Sequence, residues 1–150
     1  MAEYNFKNDL NLGEIGEQNV IDYLISNGGK LITKNNDNKY DTIIEYNGEQ
    51  IKYEIKTDVF CAPNFDTGNI FIEVECRGKE SGLSVTEAKW FVTYFLYLNE
   101  IWFIETNKLK KLLIENDFPL SEQNGDLNSN TKGYLIKRKD IQGNFKIKTL

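Results

Sequence analysis

Histidine is absent from the 150 residues of this chain, and cysteine, proline and methionine are scarce, with two, two and one residues. Without histidine the chain has no histidine-based catalytic triad and no imidazole metal ligand. Cys61 and Cys76 are too few and too far apart for a cysteine-cluster zinc site, and we expect both to be reduced. A metal ion bound by this chain would therefore have oxygen ligands, which favours Mg²⁺ or Mn²⁺ over Zn²⁺.

Long apolar runs and a secretory leader are also missing. No stretch reaches the roughly 18 apolar residues of a transmembrane helix, and residues 1–5 lack the basic and then apolar pattern of a signal peptide. We therefore expect a cytoplasmic protein with no membrane partner. Gly13 and Gly16 do not form a phosphate-binding loop, because no strand precedes them, so no nucleotide cofactor is expected. The length predicts that residues 1–150 form a single domain.

Charge is distributed unevenly along the chain. The net charge is −5, but residues 132–150 carry six basic residues and one acidic residue, a net charge of +5, which leaves −10 on residues 1–131. The basic end is either an arm that contacts nucleic-acid phosphates or a solvated edge strand that lysines protect from aggregation. The sequence favours the two interpretations about equally.

A β-hairpin is predicted around Asn47-Gly48, because a type I′ turn needs positive φ at both central positions. Pairing outward from this turn gives strands over Tyr40–Tyr46 and Glu49–Thr57 and places Asp41 opposite Glu54. Lys56 lies two residues beyond Glu54 and so points to the same face. Two opposed carboxylates repel each other unless a cation lies between them. The pattern therefore predicts a metal site with a lysine ammonium beside it.

The remaining segments show the apolar periodicities of helices and strands. We expect, in chain order, a helix over Leu12–Asn27 capped by Asn11, a short extended piece over Lys30–Lys34, the two strands of the hairpin, a strand over Asn69–Cys76, a helix from Ser84 to Tyr97 that begins with a Ser84–Glu87 capping box, and a strand over Glu100–Glu105. A third helix capped by Thr106 or Asn107 and running through Leu113, a polar loop over Asp117–Thr131, and short strands over Gly133–Lys137 and Asn144–Lys148 follow. This αβββαβ order predicts a three-layer α/β domain with a mixed sheet. Its first three strands would form an antiparallel meander, and the fourth would return parallel to a neighbour.

The same order, with Asp41 and Glu54-Ile55-Lys56, resembles the PD-(D/E)XK nuclease superfamily. That group includes restriction endonucleases, archaeal-type Holliday-junction resolvases and many phage nucleases. The resemblance covers residues 12–105 as a restriction-endonuclease-like core and leaves 106–150 as a C-terminal extension. Tyr40 stands where the family's eponymous proline usually is, at a permissive position. The segment 67–83 also resembles a phage-type subset of small nuclease-like proteins.

The resemblance implies a divalent-metal-dependent nuclease that acts on DNA, in particular an endonuclease, with structure-selective cutting and a homodimer as weaker expectations. It implies that Asp41 and Glu54 are carboxylate ligands of Mg²⁺ or Mn²⁺ and that the Ile55 carbonyl adds a third oxygen. Lys56 would orient the attacking water and offset developing charge rather than act as a literal base, since a base needs a lowered pKa.

Further acids could join this site. Many members of the superfamily carry an acid on the first helix, and Glu17 is the best match, with Glu14 second. An ordinary acid on the helix surface explains Glu17 equally well. Glu73 and Glu75 alternate with apolar residues on the predicted third strand. We expect them to form a polar strand face, with support of the metal site as the less favoured alternative.

Basic residues follow the predicted third strand. Arg77, Lys79 and Lys89 lie in the segment that would flank the active cleft, so they are candidate phosphate contacts, although solvated surface charges are an equal alternative. A second class of function is a catalytically inactive binding or inhibitor protein on a nuclease fold, with an acidic, DNA-mimicking surface. The net charge of −10 on residues 1–131 favours it, whereas the opposed carboxylates argue against it.

Overall fold

The computed structural model describes residues 6–35, 39–124 and 130–150. The helices and strands within these residues are, in chain order, α1 (Phe6–Ser26), β1 (Lys30–Lys34), β2 (Thr42–Tyr46), β3 (Glu49–Asp58), β4 (Cys61–Ala62), β5 (Phe65–Asp66), β6 (Asn69–Cys76), β7 (Lys79–Glu80), β8 (Trp90–Phe95), β9 (Glu100–Glu105), α2 (Thr106–Glu115), β10 (Leu120–Asn124), β11 (Asn130–Lys137), α3 (Arg138–Ile141) and β12 (Lys146–Thr149). Short 3₁₀ turns lie at Gly82–Ser84 and Gln142–Asn144. No helix in the described ranges is long and apolar enough to cross a membrane.

A mixed sheet with the strand order β1-β2-β3-β8-β9-β12 forms the central layer. Its neighbouring strands are antiparallel except β3 and β8, which run parallel. Alternate residues of β8 enter two separate cores. Val92 and Tyr94 pack with the buried side of α1, whereas Phe91 and Phe95 pack with α2 and β6. The central sheet is therefore the middle of three layers.

The third layer combines α2 with a second sheet, whose strand order is β10-β11-β6-β7. The mixed α/β class that the sequence predicts is thus confirmed. The predicted hairpin is confirmed as well: Asn47 and Gly48 have φ values of 51° and 83°, and β2 pairs with β3 from Tyr46–Glu49 to Thr42–Tyr53.

The predicted helix from Ser84 to Tyr97 is wrong. The chain forms only the 3₁₀ turn at Gly82–Ser84 and then strand β8, and the capping box at Ser84 does not start a helix. The sequence of β8 is aromatic and β-branched, which suits a strand, and both of its faces are buried. A strand buried on both faces has a continuous apolar run, which periodicity alone does not distinguish from a buried helix.

The predicted three-stranded meander is also wrong. β6 is present, but it pairs with β11 in the second sheet, not with the hairpin. The neighbour of β3 is β8, so β8 rather than β9 is the strand that returns in parallel. The mostly apolar β8, in which Thr93 is the one aliphatic hydroxyl, suits the middle of the central sheet, while β6, which alternates apolar and acidic residues, suits an outer layer.

Several element boundaries differ from the sequence prediction. α1 begins at Phe6, because no glycine or proline interrupts residues 6–12, so Asn11 lies inside the helix and is not its cap. The predicted loop over 117–131 contains β10 and the start of β11, and residues 125–129 of it lie outside the described residues. The basic C-terminal segment is folded into both sheets, and β12 is an edge strand of the central one.

Candidate metal and catalytic site

Asp41 is held against β3 by two hydrogen bonds. Its backbone N–H donates to the Tyr53 carbonyl at 2.9 Å, and its Oδ2 accepts from the Ile55 N–H at 2.6 Å. The sequence predicts that Asp41 pairs directly with Glu54, and this prediction is wrong. The β2–β3 ladder ends at the Thr42–Tyr53 pair, and the Asp41 side chain turns toward Ile55. Its charge nevertheless acts on Glu54 and raises the pKa of that carboxyl.

Glu54 is a buried acid, with only 4% of its surface exposed. Its Oε1 lies 3.3 Å from the Lys56 ammonium, and its Oε2 lies 3.2 Å from the Thr86 hydroxyl. Burial raises the pKa of Glu54 to about 7, and the charge of Asp41 adds to this effect, while Lys56 and Thr86 oppose it. Glu54 thus exchanges its proton near neutral pH, unlike an ordinary glutamate.

Lys56 lies between two acids from different layers. Its ammonium is 3.3 Å from Glu54 Oε1 and 3.9 Å from Glu73 Oε2, and 38% of its side chain is exposed. Burial alone would lower the pKa of Lys56, but the charges of Glu54, Glu73 and Asp41 outweigh it, and the pKa is raised. Lys56 therefore stays protonated at neutral pH, which suits an orienting and electrostatic role.

Glu73 belongs to this cluster, although the sequence favoured a plain polar strand face. It approaches Lys56 from β6 and also accepts a hydrogen bond from the Ser81 hydroxyl at 3.0 Å. Glu75, two residues further along the same strand, pairs instead with Lys132 at 3.4 Å. The alternation of apolar and acidic residues along β6 predicts that both glutamates lie on one strand face. Only the packing of the second sheet shows that Glu73 contacts Lys56 and that Glu75 contacts Lys132.

Glu17 is brought toward Asp41 by close packing of α1 on β3. A Cβ atom at Gly16 would lie 2.0 Å from Thr57 Oγ1, so only glycine allows this approach. Burial raises the pKa of Glu17, the Asp41 charge raises it further, and Lys34 opposes them. Glu14 is exposed and contributes least to this shift. Of the two helix acids, Glu17 is the one that shares an electrostatic environment with Asp41.

The Ile55 carbonyl lies on the same edge of β3 as Asp41. The N–H and C=O of one strand residue point to the same edge of the strand, and the Ile55 N–H meets Asp41 there. Since the β2–β3 ladder ends at Thr42–Tyr53, no regular β2 residue stands opposite Ile55. Its oxygen therefore points toward the edge of β3 on which the Asp41 carboxylate lies.

The donor set fits a hard divalent cation. In the described part of the chain, no three His, Cys, Asp or Glu side chains are arranged to enclose a metal ion. Mg²⁺ does not need such a cage, because it usually keeps several waters and takes one or two carboxylates together with substrate phosphates. The carboxylates of Asp41 and Glu54 and the Ile55 carbonyl fit that mode of binding, and Glu17 is a further oxygen donor nearby.

The three predicted phosphate contacts lie in different places. Arg77 and Lys79 are exposed in the β6–β7 hairpin. At about 3.3 Å per residue, Arg77 lies about 13 Å along the strand from Glu73. Lys89 directly precedes β8, and its N–H donates to the Lys52 carbonyl at 3.0 Å. The structure thus brings Lys89, rather than Arg77 or Lys79, next to the strand that carries Glu54.

Sequence reasoning missed Thr86. This residue is 6% exposed, and its hydroxyl lies within hydrogen-bonding distance of both Glu54 and the Lys39 carbonyl. Its hydroxyl oxygen also accepts from the Ala88 N–H at 3.1 Å. No sequence signal marks it, because it lies among other polar residues such as Ser84 and Glu87, and the helix wrongly predicted there concealed its role.

Among solved structures, a bacterial homing endonuclease, I-Ssp6803I, is similar to this chain. The TM-score is 0.50 at 14% sequence identity, over 64% of this chain and 68% of the endonuclease chain. At this identity the likeness shows a shared α/β fold. No family model matches the chain, and no curated protein does.

Proposed function

We propose that this chain is a divalent-metal-dependent nuclease that hydrolyses phosphodiester bonds in DNA, with Mg²⁺ or Mn²⁺ as its cofactor. The observation that carries the proposal is the burial of Glu54, an acid that is 4% exposed beside a second carboxylate and a lysine. A buried acid with a like charge nearby destabilises a fold, and metal binding accounts for that cost. The fold shared with an endonuclease supports the same proposal.

Each residue has a distinct role in the proposed reaction. Asp41, Glu54 and the Ile55 carbonyl would hold the cation, with Glu17 as an additional ligand. A bound cation supplies a more acidic water and neutralises charge at the scissile phosphate. Lys56 donates a hydrogen bond to the attacking water and offsets negative charge, while its raised pKa keeps it from acting as the base. Glu73 positions Lys56 from the opposite layer.

We further propose that the protein is an endonuclease and acts as a homodimer. Two cuts in a duplex or a branched junction need two sites, and a symmetric dimer provides them. Structure-selective cutting, as in the junction resolvases that the sequence resembles, is the finer form of this proposal. Sedimentation with and without a four-way junction measures the assembly, and a monomer in both conditions would refute the dimer.

The activity is tested by incubating the protein with plasmid, linear and four-way-junction DNA in Mg²⁺, in Mn²⁺ and in EDTA. We expect cleavage only with the metal ions, and its loss in Glu54→Ala and Lys56→Ala. Glu45→Ala is the matched control, since Glu45 is a β2 carboxylate paired with Gln50, away from the site. Folded protein that cleaves none of the substrates would contradict the proposal and favour the inactive binding protein.

A further inference from the structure

Two lysines lie side by side on the sheet face that carries Glu54. The parallel register places Tyr53 beside Trp90 and Glu54 beside Phe91. The preceding residues, Lys52 and Lys89, are therefore neighbours, as the hydrogen bond from the Lys89 N–H to the Lys52 carbonyl also shows. By strand alternation both share the face of Glu54. Like charges in directly neighbouring positions destabilise a sheet, so this arrangement favours an anion between them.

These lysines line a groove of about 410 Å³, and its wall also includes the start of α2 with Thr106 and Lys110. Thr86, the hydrogen-bond partner of Glu54, lines the same groove. The groove thus adjoins the candidate metal site, with Thr86 between the two.

The groove has more positive than negative charge available for a ligand. Across the described ranges, none of Lys52, Lys89 and Lys110 forms an ion pair with a carboxylate; the Lys52 ammonium lies 4.9 Å from the centre of the Tyr40 ring. Two acids, Glu49 and Glu87, also line the groove. The Glu87 carboxylate lies 3.9 Å from the Lys39 ammonium outside the groove, and the three groove lysines outnumber the two acids.

The start of α2 adds hydrogen-bond donors to the same place. The N-cap residue Glu105 makes no side-chain capping hydrogen bond, and the first turn contains no acid. The Thr106 N–H donates to the Lys89 carbonyl at 2.9 Å, whereas the other first-turn N–H groups lack partners inside the helix. The Thr106 hydroxyl is buried, with 5% of the residue exposed, and has no partner in the described part of the chain. Helix N-termini with lysines nearby bind phosphate groups well.

We propose that the groove formed by Lys52, Lys89, Lys110 and the start of α2 binds one backbone phosphate of double-stranded DNA, near the scissile phosphate that would lie at Glu54. The proposal rests on the proposed nuclease function for its choice of ligand. Lys52 and Glu54 are two residues apart on β3, about 6.6 Å at about 3.3 Å per residue. The groove would therefore hold a phosphate close to the reacting one along the DNA.

The test compares two double variants of the full chain. Lys89→Gln with Lys110→Gln removes two groove charges, and Lys108→Gln with Lys111→Gln removes two charges from α2 outside the groove lining. A fluorescein-labelled DNA duplex is titrated with each protein in EDTA, so that binding is measured without cleavage, at several salt concentrations. Urea unfolding confirms that both variants are folded.

We expect the groove variant to bind the duplex more weakly and the magnitude of its slope of log K against log[salt] to fall by about 0.9, because one DNA phosphate is no longer neutralised. The control variant should keep the slope of the wild type. Equal losses in both variants, or no duplex binding by the wild type, would overturn the groove proposal. If the wild type cleaves DNA but the two double variants bind it equally, the proposed nuclease function stands and the groove proposal fails. If the groove variant alone loses DNA affinity and the wild type cleaves no DNA, the groove proposal is supported and the nuclease function is refuted.

Discussion

The Thr86 hydroxyl lies 3.2 Å from Glu54 Oε2, although 32 residues separate the two in the chain. Glu54 is therefore held at both oxygens, by Lys56 from its own strand and by Thr86 from the loop before β8. The same hydroxyl is 3.0 Å from the Lys39 carbonyl, next to the segment that leads to Asp41. Thr86 thus joins the segment before β2 to the buried acid on β3.

Replacing Thr86 with valine should destabilise the protein and raise the pKa of Glu54 further, since the Thr86 hydrogen bond opposes that shift. Loss of a partner at a buried polar group costs about 1–3 kcal/mol, which urea unfolding measures. Thr93→Val is the matched control, because the Thr93 hydroxyl is buried without a partner in the described residues. The control should keep or gain stability, and equal losses in both variants would contradict this account.

The stability of the metal-free protein should decrease as pH rises from about 4.5 to about 7. The folded pKa of Glu54, about 7, exceeds its ordinary value of 4.5, so the folded state holds a proton that the unfolded state has released. The stabilisation, on the order of 3 kcal/mol, is fully present below the unfolded-state pKa of Glu54 and is lost as the pH rises through the folded-state pKa. Denaturant unfolding in EDTA across this range measures it.

Glu54→Gln isolates this effect. The pKa values of Glu17 and Asp58 are also raised by burial, and their contributions persist in the variant, so the difference between the two proteins reports Glu54 alone. Adding Mg²⁺ should stabilise the wild type more at the upper end of the range, because the metal competes with the proton. A variant with the same pH dependence as the wild type would refute the assignment.

Glu73→Gln should lower the rate of metal-dependent DNA cleavage, because Glu73 holds Lys56 and the Ser81 hydroxyl. Residues that hold an active-site group in position through hydrogen bonds typically contribute about 10–100-fold to activity. The reduction should appear in kcat rather than in KM, and the folded protein should remain stable. Glu75→Gln, on the same strand but paired with Lys132, should leave kcat unchanged. A similar decrease in both variants would show a structural role.

Replacing each of two glycines in α1 with alanine should change the stability of the protein in opposite directions. Gly16→Ala places a Cβ 2.0 Å from Thr57 Oγ1, so the helix must move away from β3 and carry Glu17 with it. Gly13→Ala meets no atom within 4 Å and should stabilise the protein by about 1 kcal/mol through helix propensity. Thermal unfolding of both variants measures the contrast. If Gly16→Ala left the unfolding temperature unchanged, the close approach of α1 to β3 would be disproved.

Local chemistry predicts the hairpin, but not what surrounds it. The Asn47-Gly48 turn needs only its own two residues, so the sequence predicts it and the acids that it brings near each other. Ser84 carries an equally local helix signal, yet packing on both faces of β8 overrides it. The role of Glu73 depends on a second sheet whose position no short-range pattern encodes, so it becomes visible only in the folded chain.

From the parallel contact between β3 and β8 we also infer the order in which the site assembles. The β2–β3 hairpin, with Glu54 and Lys56, is local and can form early. A parallel pair must wait until the whole crossover, here β4 to β7, has closed, and the entropy of that closure slows it. Thr86 and Glu73 reach their partners only at this late stage. A nascent or partly opened chain therefore carries the acids without their complete surroundings, and the proposed cutting of DNA begins only when folding is finished.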